Sequence, residues 1–250
     1  MSETLGARAL ILTHGRSGST FLVNTLNKHP HMRFLGEMFH PEAAERKMLG
    51  DFPIWSDDQD PVAYLHDTVY SEAALREHAV TGFKLMHFHC RNEEGHRKLW
   101  DWLVDQRSIK VIVLIRNNLL NAYISLKRAQ EKAIWNPMQY KRAGEPESFY
   151  EPIALDPQDA LQYVQRHHRG MKMTQAELGA LDQFEVAFED LNSDLHNKVN
   201  ELQAFLGVPH RRPWFKFEPM NERPLDDLLT NAAEVRAVFA DSPFASMVEA

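Results

Sequence analysis

Six residues, Gly15-Arg16-Ser17-Gly18-Ser19-Thr20, combine backbone freedom, hydroxyls and a fixed positive charge in one short stretch. Glycines let the chain curl so that several N–H groups converge on one anion, and a helix starting there adds positive potential. Ser19 and Thr20 add hydroxyl donors, and Arg16 adds a guanidinium with bidentate reach. The bland reading of the same letters is a tight strand-to-helix turn with capping serines. The nucleotide-triphosphatase loop, G-x-x-x-x-G-K-[ST], places a lysine before its Ser or Thr to hold phosphates and magnesium. Here Gly18 is followed directly by Ser19. An ATP-dependent kinase is therefore the alternative rather than the first reading.

Proton-handling groups lie further along. Glu37, in Leu35-Gly36-Glu37-Met38-Phe39, is either a general base or a solvated loop acid. Lys84 ends the run Gly82-Phe83-Lys84, and His87 and His89 follow it. Because the two histidines alternate with Met86 and Phe88, the pattern sends one of them to solvent. His87, His89 and Cys90 lack a second ligand cluster at the usual spacing, so no zinc site is expected. His167-His168 reads as a solvated helix face, and Lys127-Arg128 and Lys141-Arg142 as solvated charge pairs. Trp135 is either a core anchor or a cover for a bound ring.

The elements that must position these residues follow from periodicity. Ala7 to Thr13 is a compact apolar run ending at the glycine-bearing turn, the pattern of a buried strand. Phe21, Leu22, Thr25 and Leu26 then recur at helical spacing until His29-Pro30. Further strands are expected at Met32 to Leu35, residues 79–88, Lys110 to Ile115, and Phe184 to Phe188. Arg116 closes the Lys110 strand. Helices are expected at about 118–134 and 158–181, and another is capped by Asn192 or Ser193, with Leu195, Val199, Leu202 and Phe205 on one face. Gly207 and Pro209 stop that helix. Residues 136–157 hold four prolines and read as a long loop or lid. Strands alternating with helices predict a three-layer α/β/α domain with a mostly parallel central sheet, one domain over 1–250.

Bulk properties narrow the function. The chain has 250 residues, 44% of them hydrophobic, enough for a sizeable core. A net charge of -7 argues against a broad nucleic-acid or membrane-surface role. Cys90 is the one cysteine, which excludes an internal disulfide and suits a reducing compartment. The apolar run Ala9 to Leu12 is too short for a signal-peptide core or a membrane span, so a cytoplasmic protein is expected. Oligomeric state is not written in the sequence.

Three ordered blocks carry a resemblance to the sulfotransferases that use 3′-phosphoadenosine 5′-phosphosulfate (PAPS). HGRSGSTFLVNTL resembles their 5′-phosphosulfate loop, VIVLIRNNLLNAYISLKRA their 3′-phosphate segment, and FEDLNSDLHNKVNELQAFLGVP their late block. Together these span about residues 9–209. The tail NERPLDDLLTNAAEVRAVF is similar to bacterial members that act on glycans, the nodulation-type and trehalose-directed enzymes. The resemblance implies a P-loop-like fold, PAPS as co-substrate and no metal. It implies that Gly15, Arg16, Ser17, Gly18, Ser19 and Thr20 hold the 5′-phosphosulfate, with Arg16 standing where many members carry a lysine. Arg116 and Ser125 would hold the 3′-phosphate, although the commonest spacing puts the serine where this chain has Ile124. Phe188 stands where a tyrosine near the adenine is common, and it can stack but not donate a hydrogen bond. Glu37 occupies the place of the base in carbohydrate-directed relatives, and His87 or His89 lies near the histidine of phenol- and steroid-directed ones. Lys84 would bind the sulfuryl group or the acceptor. The implied acceptor is a hydroxyl or amine of a glycan or small molecule, and a non-catalytic PAPS-binding module is a further alternative.

Overall fold

Apolar runs without helical spacing become the strands of one sheet. The computed structural model describes residues 5–40, 54–89, 94–132, 135, 151–212 and 223–249. Its strands are β1 (Ala7–Thr13), β2 (Met32–Leu35), β3 (Val80–Met86), β4 (Ile109–Ile115) and β5 (Gln183–Ala187). They lie in the order β2-β3-β1-β4-β5, and every pairing is parallel. Side chains alternate between two buried faces. Leu10, Leu12, Leu35, Phe83, Leu85, Val111 and Val113 join one core cluster, and Ala9, Ile11, Phe34, Ile112, Leu114 and Val186 join the other. Both faces being apolar explains why these strands read as continuous hydrophobic runs.

Helices cover each face. α1 (Ser19–Leu26) supplies Leu22, Val23 and Leu26 to the second cluster. α2 (Pro61–Asp67) and α4 (Glu94–Val104) supply Tyr64, Leu65, Leu99, Trp100 and Leu103 to the first. Between them α3 (Glu72–Glu77) leads into β3. α5 (Leu119–Lys132) follows β4, and α6 (Pro157–Glu177) precedes β5. α7 (Phe188–Ser193) and α8 (Leu195–Leu206) come next, and α8 packs Leu202 and Leu206 beside α1 in the second cluster. The result is the three-layer α/β/α arrangement with a parallel sheet. The connection from β1 leads toward β2 and that from β4 toward β5, on opposite sides. The order therefore reverses at the carboxyl ends of β1 and β4, the place where ligands bind in open α/β sheets.

The chain groups into two compact units. One comprises Met1–Ile115 and Gly170–Lys216; the other comprises Arg116–Arg169 and Phe217–Ala250. The second has its own core, in which Leu120, Tyr123 and Ile124 of α5 join Tyr163 and Val164 of α6. Leu225 and Leu228 of α9 (Leu225–Leu228) and Val235 and Phe239 of α10 (Ala232–Phe239) complete it. A final 3-10 turn, Ala245–Val248, buries Val248 against the same cluster.

Several boundaries differ from the sequence expectation. β3 ends at Met86, and the His87 N–H that follows makes the last rung of its pairing with β1, donating to the Thr13 carbonyl at 2.8 Å. Phe188 opens α7 instead of ending β5, so Asn192 and Ser193 lie inside a helix and neither caps α8; Asp194 holds that place. Gly207 does end α8, at φ 81. The short helices α2 and α3 carry no long apolar period, but they have caps: Asp60 accepts from the N–H groups of Val62 and Ala63, and Ser71 from that of Ala74. Of the expected lid, residues 136–150 lie outside the described residues. Residues 151–156 are tied down: Ile153 pairs with Leu229, and the Asn231 amide bonds both the N–H (3.1 Å) and the C=O (2.8 Å) of Leu155.

Arg128 corrects the reading of Lys127-Arg128 as a solvated pair. It is 1% exposed and donates to the Leu228 carbonyl at 3.2 Å and to the Glu151 carbonyl at 3.4 Å. Burial, then the nearby Arg223 charge, pulls its pKa below the usual arginine value. A single guanidinium nitrogen, Nη2, thus ties the segment at Glu151 to the end of α9. Arg128→Ala removes this donor from both carbonyls, the Leu228 carbonyl keeping the Ile153 N–H at 3.1 Å, and chemical denaturation should show a loss of about 1–3 kcal/mol.

Candidate active site

The glycine-bearing turn after β1 is built from strained backbone on a buried polar floor. Arg16 has φ 60 and Gly18 has φ 80, on either side of Ser17. Left-handed residues alternating along a turn bring successive N–H groups to one side, forming a concave anion cradle. Ser17 is 0% exposed, and its hydroxyl lies 2.6 Å from that of Thr13, which itself donates to the Leu114 carbonyl at 2.9 Å. Ser17 therefore donates to Thr13 and anchors the loop to β4; what it offers a ligand is backbone N–H. His14 is 1% exposed, and its Nδ1 is 2.8 Å from the Gly15 carbonyl. Gly18 begins α1, and a Cβ there would lie 2.5 Å from Cδ2 of Phe188. The Phe188 ring is thus seated against the loop backbone, and it is buried.

Lys84 stands on β3 opposite Ile11 of β1, on the face that α1 covers. It is 4% exposed. Its ammonium is 3.3 Å from the Ser19 hydroxyl, 3.5 Å from that of Thr20, and 2.6 Å from the Glu37 carboxylate. A buried ammonium is costly unless paired and hydrogen-bonded, so Glu37 and the two hydroxyls are the condition for Lys84 being there. Glu37 arrives from the end of β2, where the Lys84 N–H reaches the Gly36 carbonyl at 3.4 Å. The fold therefore brings together Gly15 to Thr20, Lys84, Glu37 and Phe188. A phosphate-type cradle, a cation and a carboxylate share one end of the sheet.

The sulfotransferase family model matches residues 9–212, most of the chain. The chain belongs to the sulfotransferase family. No curated protein matches its sequence. Among solved structures, a sulfotransferase from Alicyclobacillus acidocaldarius aligns at 18% identity over 98% of this chain and 95% of that one, with TM-score 0.46. Sulfotransferase STF9 from Mycobacterium avium aligns at 12% identity over 95% and 76%, with TM-score 0.45. A sulfotransferase domain from the curacin biosynthetic pathway aligns at 14% over 99% and 96%, also at 0.45. Among the described residues no helix is long and apolar enough to cross a membrane, and no group of three metal-ligating side chains occurs.

The other expected site residues of this sulfotransferase divide between the two units. Arg116, directly after β4, is 8% exposed, Ser125 in α5 is 7% and Ile124 is 0%; all three belong to the unit that starts at Arg116. Neither histidine after β3 faces solvent, which corrects the alternation argument: His87 is 7% exposed and His89 0%. Alternation ceases at Met86, and the turn that follows packs its rings. His87 fills the space over Gly170, where a Cβ would come within 2.4 Å of its ring, and Thr174 donates to its carbonyl. His89 meets His40 edge-on at 5.2 Å. His167 is also buried, its ring 4.1 Å from that of Tyr163 one helical turn earlier, and His168 meets Phe244 at 5.3 Å. His167 thus leaves the solvated face expected of it, whereas His168 is half-buried. Trp135 is 38% exposed and is no core anchor. Cys90 and Lys141-Arg142 lie outside the described residues. The ion pair of Lys84 and Glu37 was not foreseen from the sequence. Its signal was a lysine inside an otherwise apolar strand.

The loop should be intolerant of a side chain at Gly18. Gly18→Ala meets both the left-handed backbone and the Phe188 ring, and urea denaturation should show a loss of about 1–3 kcal/mol. In a Phe188→Leu background the penalty should shrink without vanishing, since the backbone angle stays. An identical penalty in both backgrounds would show that the ring contact plays no part.

Proposed function

We propose that the chain transfers the sulfuryl group of PAPS to a hydroxyl, or an amine, of a glycan or small-molecule acceptor, with Glu37 as general base. The observation that carries this reading is the Lys84 ammonium, 2.6 Å from the Glu37 carboxylate and 3.3 Å from the Ser19 hydroxyl of the loop. It joins the group that would accept a proton to the group that would hold the donor. The family match supports sulfuryl transfer, and the resemblance of the 3′-phosphate segment supports PAPS as donor.

In this reading the N–H groups of residues 15–20 and the hydroxyls of Ser19 and Thr20 hold the 5′-phosphosulfate. The acceptor oxygen attacks sulfur in line, the bond from sulfur to the bridging phosphate oxygen breaks, and the acceptor proton passes to Glu37. Negative charge grows on the bridging oxygen, and Arg16 and Lys84 are the cations that offset it, so the reading assigns that task to side chains rather than to a metal ion. Arg116 and Ser125 bind the 3′-phosphate, which separates PAPS from ATP, and Phe188 backs the loop near the adenine end. His87 is the rival base. Its packing over Gly170 favours a supporting role. Residues 1–250 act as one sulfotransferase domain, and the single cysteine fits a cytoplasmic location.

Nucleotide binding tests the donor. 3′,5′-Adenosine bisphosphate should bind about ten- to hundredfold more tightly than adenosine 5′-monophosphate, the worth of a charge-assisted contact to the second phosphate. Equal affinities by calorimetry would remove PAPS as the donor.

Turnover tests the base. Glu37→Gln keeps the side-chain shape, and at saturating acceptor it should lower kcat by about 10²–10⁴-fold while bisphosphate affinity holds. His87→Asn and His89→Asn should be mild beside it. An active Glu37→Gln together with a dead histidine variant would move the base to that histidine and favour a phenol-type acceptor, whose proton is easier to remove.

A further inference from the structure

The same short helix that begins at the anion cradle ends in a side chain that grips the strand leading to Glu37. α1 runs from Ser19 to Leu26, and Asn27 caps it by donating its backbone N–H to Val23 and Thr25. That cap makes no use of the Asn27 side chain, which has a separate target. Its Oδ1 accepts the Phe34 N–H at 2.6 Å, and its Nδ2 donates to the Phe34 carbonyl at 2.8 Å. One planar amide thus satisfies both backbone groups of one strand residue, as a neighbouring strand would.

The location gives the contact its meaning. β2 is an edge strand with β3 as its one neighbour in the sheet. The His31 carbonyl accepts from Val80 of β3 at 3.1 Å, so Phe34, three residues on, turns its own N–H and C=O outward. Asn27 meets them there. Two residues after Phe34, the Gly36 carbonyl takes the Lys84 N–H, and at the next residue the Glu37 carboxylate meets the Lys84 ammonium. β2 is only Met32–Leu35, too short for its own ladder to define where its end lies to a fraction of an ångström.

We propose that Asn27 is a positioning residue for the reaction: it acts as a surrogate strand that fixes the end of β2, and so Glu37, relative to the donor loop at the other end of α1. The proposal rests on Glu37 being the general base. Asn27 is itself exposed, and water can replace an exposed amide, so its hydrogen bonds add little to stability. What they supply is register. Aspartate has no donor for the Phe34 carbonyl, and alanine has neither group.

The experiment combines kinetics, nucleotide binding and hydrogen exchange on the full chain. Asn27→Ala and Asn27→Asp are compared with Glu37→Gln and with the double variant Asn27→Ala/Glu37→Gln. Tyr70→Phe, which removes a buried hydrogen bond to the Ala9 carbonyl, serves as a destabilised control. Asn27→Ala should lower kcat by about tenfold or more at saturating acceptor, the cost of a misplaced base, while bisphosphate affinity stays within about twofold. Asn27→Asp should fall between wild type and alanine. The Phe34 amide should exchange faster in Asn27→Ala and not in Tyr70→Phe. Added to Glu37→Gln, the Asn27→Ala change should cost no further turnover, because there is no base left to misplace. An unchanged kcat or an unchanged Phe34 exchange rate in Asn27→Ala overturns the role of Asn27, as does a full further loss on top of Glu37→Gln. A Glu37→Gln variant with wild-type turnover overturns the base assignment itself, and the positioning role with it.

Discussion

A lysine ammonium held almost out of water is the constraint around which the candidate site is arranged. Lys84 is 4% exposed on a strand buried on both faces. Its charge is tolerable because a carboxylate from the next strand and two hydroxyls from the helix above converge on it. Replacing the pair by apolar side chains could leave stability unchanged or improved. Such a pair is better read as a functional arrangement than as a stabilising one, and it ties three otherwise separate pieces of chain to one point.

The glycine-bearing loop after β1 is a second costly feature supported from beneath. Its left-handed Arg16 is unfavourable for a residue with a side chain, and such strain persists only where the surroundings over-determine it. Here they do. Ser17 is tied through Thr13 to the Leu114 carbonyl of β4, the Phe188 ring closes over Gly18, and α1 is anchored by Leu22, Val23 and Leu26. Hydroxyls and rings that contribute nothing directly to an anion still decide where the N–H groups point. Preorganisation of that kind is what sulfuryl transfer needs, since little covalent chemistry falls to the protein.

Much of the fold was legible in the sequence, for a physical reason. Strands buried on both faces need unbroken apolar runs, so β1 and β2 could be bounded to the residue and β3, β4 and β5 to within one or two. Gly207 announced the end of α8 because only a residue at ease at φ 81 suits that place. The loop between β1 and α1 was legible because its glycines, hydroxyls and arginine are adjacent in the chain. Short helices such as α2 and α3 were missed, since their signal is a cap and one turn of apolar residues rather than a period.

What the sequence alone determined is thus local: which residues form strands, where the glycine-bearing turn between β1 and α1 lies, and which family's motifs it matches. Tertiary structure alone decided the partners. Lys84 and Glu37 are 47 residues apart in number, and no periodicity says that β2 and β3 are neighbours with their ends in step. His167 and Arg128 read as solvated, as did one of His87 and His89, yet each is buried because a ring, a glycine gap or a pair of carbonyls receives it. A sequence records what a side chain can do. Burial and the opposing charge decide which of those capacities is used, and both are properties of neighbours that only folding brings near.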